Sequence, residues 1–301
     1  MVNHRDLEYN QVKQMTRLQG EGAMAFKDIL VYVDDSKACP ARLEVAVNLA
    51  VSHGARLTGL HVRPDPQLPQ FVVAEYGGEI ATLQSKFNEE AAARAKALFE
   101  QAVASSGLTT EWRDITGDLI DLVPLHARYA DITVVGQTDP EDGDVLAEGQ
   151  LVDHLVLEAG RPVLVVPYVG RYPTVGSKVL VAWNASREAT RAVSDALPFL
   201  TNAKQVNVLA VNPKNGRKGH GDVPGADICL HLARHGVNAV CESIQAPDLD
   251  VGAMLLSRAA DDEVDMLVMG AYGRSRLREL VLGGATLHIL RQMTVPVLLS
   301  H

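Results

Sequence analysis

The sequence predicts an α/β protein built from two tandem doubly wound five-stranded parallel sheets. Three observations carry this: an internal repeat at about half the chain length, short apolar runs alternating with helical patterns, and a Gly- and Pro-containing stretch between the repeats. Ile29-Leu30-Val31-Tyr32-Val33-Asp34-Asp35-Ser36 matches Val179-Leu180-Val181-Ala182-Trp183-Asn184-Ala185-Ser186 at an offset of 150. Leu57 to Val62 matches Val206 to Val211 at 149. Asp131-Ile132-Thr133-Val134-Val135-Gly136 matches Asp265-Met266-Leu267-Val268-Met269-Gly270 at 134, and Pro162-Val163-Leu164 matches Pro296-Val297-Leu298 at the same offset. The order is kept, so the relation is a tandem duplication. The falling offset makes the second copy shorter in its middle.

The elements follow in order. Residues 1–25 form an N-terminal segment with no counterpart before Lys178, an arm or an artefact of start-site choice. The runs near 29–33, 57–62, 132–136 and 162–166 are nearly all apolar, as parallel strands buried on both faces should be. Ala41 to Ser52 and Glu89 to Ala104 carry apolar residues at helical spacing among good helix formers. Trp112 to Thr116 is a weaker strand that brings each copy to about five. Strands alternating with helices imply right-handed crossovers and a sheet covered on both faces. Tyr168 to Ser177 reads as a linker, which divides the chain into domains 26–170 and 171–301.

Composition bounds the function. Of 301 residues 47% are hydrophobic and 22% charged, with a net charge of −9, which disfavours nucleic acid and anionic membrane as partners. No apolar run approaches the ~18 residues of a membrane span. Cys39, Cys229 and Cys241 are odd in number and form no C-x-x-C pair, so no disulfide framework is expected and the cytoplasm is the simplest location.

In open α/β sheets, ligands bind beyond the carboxyl ends of the strands. After the fourth strand of the second copy comes Gly270-Ala271-Tyr272-Gly273, then nine residues, then Gly283-Gly284-Ala285-Thr286 and a helical pattern. Glycine lets backbone amides turn toward a ligand, and the following helix offers unpaired N–H groups and a positive dipole end. Thr286 is suited to cap that helix or to meet a phosphate, and Arg274, Arg276 and Arg278 to neutralise phosphate charge. Neither a Gly-Lys-Ser/Thr nor a G-x-G-x-x-G spacing is present, so this is not a Walker loop or a dinucleotide fingerprint.

On these residues the chain resembles the universal stress protein family over about residues 26 to 301. The nucleotide-binding members of that family share G-x2-G-x9-G-(S/T) after the fourth strand. They also carry an Asp after the first strand and set an apolar residue at the end of the second strand against adenine. The resemblance implies an adenine nucleotide alpha hydrolase-like fold, dimeric association, and ATP binding in some members; the tandem form is itself known. Gly270, Gly273 and Gly283 carry over; the next position is Gly284 rather than Ser or Thr, with Thr286 two residues later. The acidic position is Asn184 and the adenine-side position Val211. The implied cofactor is ATP or another adenine nucleotide, with Mg a candidate companion.

The first copy departs further. Its frame is Gly136, Asp139, Gly149 and Gln150, and the loop from Asp139 to Glu148 holds five carboxylates and no basic residue. A triphosphate there would meet several like charges, each repulsive by ~1 kcal/mol or more. This copy keeps Asp34, so neither copy has the complete set.

Plainer readings stand beside these. The glycine loop also suits a tight strand-to-helix connection, and Asp34 and Asp35 also suit helix capping. His231 and His235, four apart near His220, Asp222 and Asp227, read as surface histidines because no H-E-x-x-H accompanies them. Cys39 lies where a helix dipole would acidify a thiol, but a structural role is favoured in the absence of a resolving cysteine. No G-x-S-x-G surrounds Ser36 or Ser186. The sequence thus predicts a cytoplasmic, nucleotide-responsive regulator with its site in the second copy. Gly270, Gly273, Gly283 and Gly284 would approach the phosphates, Arg274 and Thr286 contact their oxygens, and Asn184 and Val211 line ribose and base. The alternative is a stress-induced interaction module without nucleotide. With no positioned general base, ATP hydrolysis is expected to be slow at most. The last strands, Val163 to Val166 and Val297 to Leu299, are expected as exposed edges that join the copies or form a homodimer.

Overall fold

Each apolar run becomes a strand, and the helices between them cover the sheet. The computed structural model describes residues 25–64, 70–141, 145–213, 224–271 and 284–301; residues 1–24 of the expected arm lie outside them. The first copy runs β1 (Asp28–Tyr32), α1 (Cys39–His53), β2 (Arg56–Arg63), α2 (Gln70–Val103), β3 (Thr110–Thr116), α3 (Leu119–Ala127), β4 (Ile132–Gly136), α4 (Val145–Glu158) and β5 (Val163–Val166). The second runs β6 (Lys178–Ala182), α5 (Arg187–Leu200), β7 (Gln205–Val211), α6 (Ala226–Arg234), β8 (Ala239–Ile244), α7 (Val251–Asp261), β9 (Met266–Gly270), α8 (Gly284–Gln292) and β10 (Val297–Ser300). The shorter middle of the second copy is visible here: α2 has 34 residues and α6 has 9. Helical spacing alone placed the start of α2 at Glu89, whereas the helix begins at Gln70. Gly77 and Gly78 weaken the helical signal of that first part, each by about 1 kcal/mol relative to Ala.

The strands form one ten-stranded sheet in the order β3-β2-β1-β4-β5-β10-β9-β6-β7-β8. Pairing is parallel within each half, and the halves meet through antiparallel β5 and β10, with Leu164 opposite Leu298. Both last-strand edges are therefore used inside one chain. The antiparallel join also points the carboxyl ends of the two sets of strands in opposite directions.

Alternation along the strands feeds two cores, one on each face. Ile29 and Val31 of β1 and Val179 and Val181 of β6 enter one; Leu30, Tyr32 and Leu180 enter the other. Each core contains residues of both copies, so the duplication folds around shared apolar layers, each fully buried side chain stabilising by about 1.5–3 kcal/mol. Repeated carboxylates serve the ends of the sheet. Asp131 accepts from the Lys27 and Asp28 amides, and Asp265 accepts from those of Gly176, Ser177 and Lys178. Each thus clasps the start of its own copy's first strand.

The cysteine expectation needs correction. Cys229 on α6 and Cys241 on β8 form a disulfide, with Cα atoms 6.4 Å apart. An odd count says nothing against one pair, because proximity is created by the fold rather than by sequence spacing. Cys39 is fully buried, and burial pushes its thiol up, against the acidification a helix dipole would give.

Candidate functional site

A cavity of about 240 Å³ opens at the carboxyl ends of β6, β7 and β9. Five sequence-predicted residues line it together: Asn184, Val211, Gly270, Gly284 and Thr286. Gly273, Arg274 and Gly283 lie outside the described residues, as do Arg276 and Arg278. Apolar side chains of Leu209, Val211, Val251, Leu255 and Met269 contribute to the lining, as small-molecule sites require. Gly284, Ala285 and Thr286, the first three residues of α8, also line it. Their amides are among the four that a helix leaves unpaired at its start, so that part of the lining suits an anion.

The two described glycines are present for different reasons. A Cβ on Gly270 would lie 2.4 Å from the Ala189 nitrogen and 2.4 Å from the Glu188 carbonyl carbon, so α5 packs directly on its backbone. A Cβ on Gly284 would meet nothing within 4 Å. Packing therefore demands glycine at Gly270 and does not demand it at Gly284. Thr286 is only 4% exposed yet borders the cavity. Asn184 accepts from the Ser186 amide at 3.0 Å, and Ser186 in turn caps α5 through the Ala189 amide. Asn184 thus holds the turn that follows β6, and its amide nitrogen is the donor it offers a ligand. Asp34 holds the equivalent turn through Ser36, whereas the expected capping of α1 by Asp34 or Asp35 is not found, its N-cap being Ala38.

Sequence reasoning missed Glu188, the second residue of α5. It is buried beside Gly270, its Oε1 has no hydrogen-bond partner, and the Arg187 Nε stands 3.6 Å away. Its signal was an acidic residue in a first helical turn where the first copy has Ala38. Among the described residues no group of three or more His, Cys, Asp or Glu could hold a metal ion. His231 and His235 are exposed, with rings 4.7 Å apart, and His220 and Asp222 lie outside the described residues.

The corresponding cleft of the first copy has about 20 Å³ of space. Arg42, 4% exposed, reaches in from α1 and pairs with Asp34 at 2.6 Å. Its guanidinium lies 5.5 Å from the Tyr32 ring centre, and its Nη1 is 2.7 Å from where a Gly136 Cβ would stand. Burial pushes the Asp34 carboxyl up, but the Arg42 charge and the Ser36 hydrogen bonds outweigh it and hold the carboxyl below its usual range. Asp34 is therefore committed to Arg42 and to the Ser36 turn. Asp139, at the Gly273 position, borders this cleft; residues 142–144 of the acidic loop lie outside the described residues.

No described helix is long and apolar enough to cross a membrane. A family model for the universal stress protein family matches residues 25–167 and 231–301. The chain is 25% identical over 276 residues to universal stress protein Slr1230 of Synechocystis, covering 89% of this chain and 88% of that one. A crystal structure of a universal stress protein from Archaeoglobus fulgidus aligns with a TM-score of 0.68 at 15% identity, covering 91% of this chain and 96% of that one. A functionally unknown protein from Pseudomonas aeruginosa PAO1 aligns with a TM-score of 0.56 at 15% identity, covering 92% of each chain. With the repeat, the fused sheet and these matches, the chain belongs to the universal stress protein family.

Proposed function

We propose that this protein is a nucleotide-responsive regulator that binds an adenine nucleotide in its second domain, taking the domains as 26–170 and 171–301. The observation that carries the proposal is the cavity in which Val211, Asn184 and the start of α8 face one space. Val211 and its apolar neighbours would pack on adenine, Asn184 would donate to the ribose, and Gly284 and Thr286 would receive phosphate. At about 240 Å³ the cavity is near the ~300 Å³ lower end for small-molecule sites, which suits a nucleoside with its phosphates directed outward. Such a ligand regulates by binding one conformation better than another. No candidate general base touches the described cavity, so turnover is expected to be slow. Isothermal titration of ATP into ligand-free protein tests the reading. Saturable heat at one nucleotide per chain is expected, and no binding at millimolar ATP would refute it.

The closure of the first cleft favours a second role for that domain, as an interaction surface with no nucleotide. The compartment belongs to the same proposal: in the cytoplasm the Cys229–Cys241 disulfide of the structure would be reduced to two thiols. Intact mass after thiol blocking in the cell tests this, with two blocked groups expected at these positions and an unblocked pair arguing for an oxidising compartment.

A further inference from the structure

The two clefts descend from one design, and the residues that separate them can be read position by position. The buried faces of α1 and α5 superpose at an offset of 150, Leu43 on Val193 and Ala46 on Ala196. At that offset Tyr32 falls on Ala182 and Arg42 on Ala192; at 134, Leu151 falls on Ala285. At all three positions the first copy has a large side chain where the second has alanine. Tyr32, Arg42 and Leu151 all border the first cleft, and Ala182 and Ala285 both border the second. The copy with the three large side chains has the cleft of about 20 Å³, and the copy with the three alanines the cleft of about 240 Å³.

We propose that the first cleft is a latent nucleoside site, closed by Arg42 with Tyr32 and Leu151, so that the chain takes a single adenine nucleotide. Arg42 is the decisive residue. Its cationic head, buried and paired with Asp34, lies against Gly136, the position equivalent to Gly270 in the second cleft. A bound nucleoside would have to displace the Arg42 head, which leaves the buried Asp34 carboxylate without its cation. Tyr32 adds a ring against the guanidinium and Leu151 narrows the entrance from α4. The acidic residues of the neighbouring loop are a separate obstacle, one that acts on phosphates and leaves an uncharged nucleoside untouched. Closure therefore predicts exclusion of adenosine itself, which charge repulsion alone does not.

The stoichiometry of one rests on the nucleotide reading of the second cleft, and the test keeps the two apart. Equilibrium dialysis with labelled adenosine is applied to three proteins whose folding is checked by circular dichroism. They are the wild type, an opened variant (Tyr32→Ala, Asp34→Asn, Arg42→Ala, Leu151→Ala) that installs the second copy's residues, and a closed variant (Ala182→Tyr, Asn184→Asp, Ala192→Arg, Ala285→Leu) that installs the first copy's. One adenosine per chain is expected for the wild type, two for the opened variant and none for the closed one. Two per wild-type chain, or a folded opened variant that gains none, overturns the proposal. If the opened variant fails to fold, a wild type at one and a closed variant at none support it, and a closed variant that still binds overturns it. A wild type that binds none while the opened variant binds one supports the latent site, and the ATP titration then decides the second-domain reading.

Discussion

Gly270 and Gly284 border the same cavity, and a phosphate-binding loop would explain both in the same way. The structure separates them. In Gly270→Ala the new Cβ would stand 2.4 Å from two backbone atoms of α5, whereas ordinary contact begins at 3.4 Å. Two backbone atoms must each retreat by about 1 Å, a displacement that neither a rotamer change nor a side-chain shift can absorb. Overpacking of this kind costs about 1–3 kcal/mol, and backbone opposition places this case at the upper end. Gly270 is not at positive φ, so alanine meets no backbone strain there and the cost is purely steric. In Gly284→Ala the Cβ meets nothing, and alanine in a helix is favoured over glycine by up to about 1 kcal/mol. Urea unfolding of ligand-free protein reads both, as a lowered midpoint for Gly270→Ala and an unchanged or raised one for Gly284→Ala, with equal slopes. A Gly270→Ala midpoint equal to wild type would refute the packing argument and leave ligand approach as the sole reason for glycine there.

Thr286→Val keeps volume and removes a hydroxyl; a lost hydrogen bond to a charged phosphate is worth about 1.5–3 kcal/mol, so ATP affinity by titration should fall about 10- to 100-fold. Gly284→Ser adds the hydroxyl that the resemblance implies at that position, its Cβ meets nothing within 4 Å, and it should tighten ATP binding in the same titration. Arg42→Met leaves Asp34 buried without its cation and should cost about 3–5 kcal/mol in urea, largely recovered when Asp34→Asn is added. Acid should act in two windows, read from unfolding midpoints across pH. Burial, helped by Lys27, holds His53 down to about 4, so stability present above about pH 6.5 is lost as pH falls toward 4, and His53→Phe should flatten that slope. The Asp34 carboxyl is held below its usual 3.8, so its contribution persists above that value and is lost as pH falls through the lowered one.

How the sequence maps onto this structure depends on the range of each interaction. The runs at 29–33 and 132–136 announced buried strands because a strand covered on both faces is apolar throughout, whatever covers it. The repeat then aligned Gly270, Asn184 and Val211 with strand ends, and strand ends of a parallel sheet converge on one space. That is why five residues scattered from 184 to 286 meet at one cavity. Arg42 stayed invisible because a buried arginine on a helix reads as a solvated one until its partner, Asp34 across the cleft, is in place. The same holds for Glu188 and for the Cys229–Cys241 pair.

The sequence by itself determined a duplicated α/β domain, its strand order of appearance and the glycine-bearing helix start in the second copy. These are set by local periodicity and backbone freedom. Only the tertiary structure decided that β5 pairs with β10 to make a single sheet, that one cleft is open and the other closed, and that Gly270 is glycine because α5 lies against it. Each of those depends on what stands across a few ångströms of space from residues distant in the chain, and no one-dimensional pattern carries that distance.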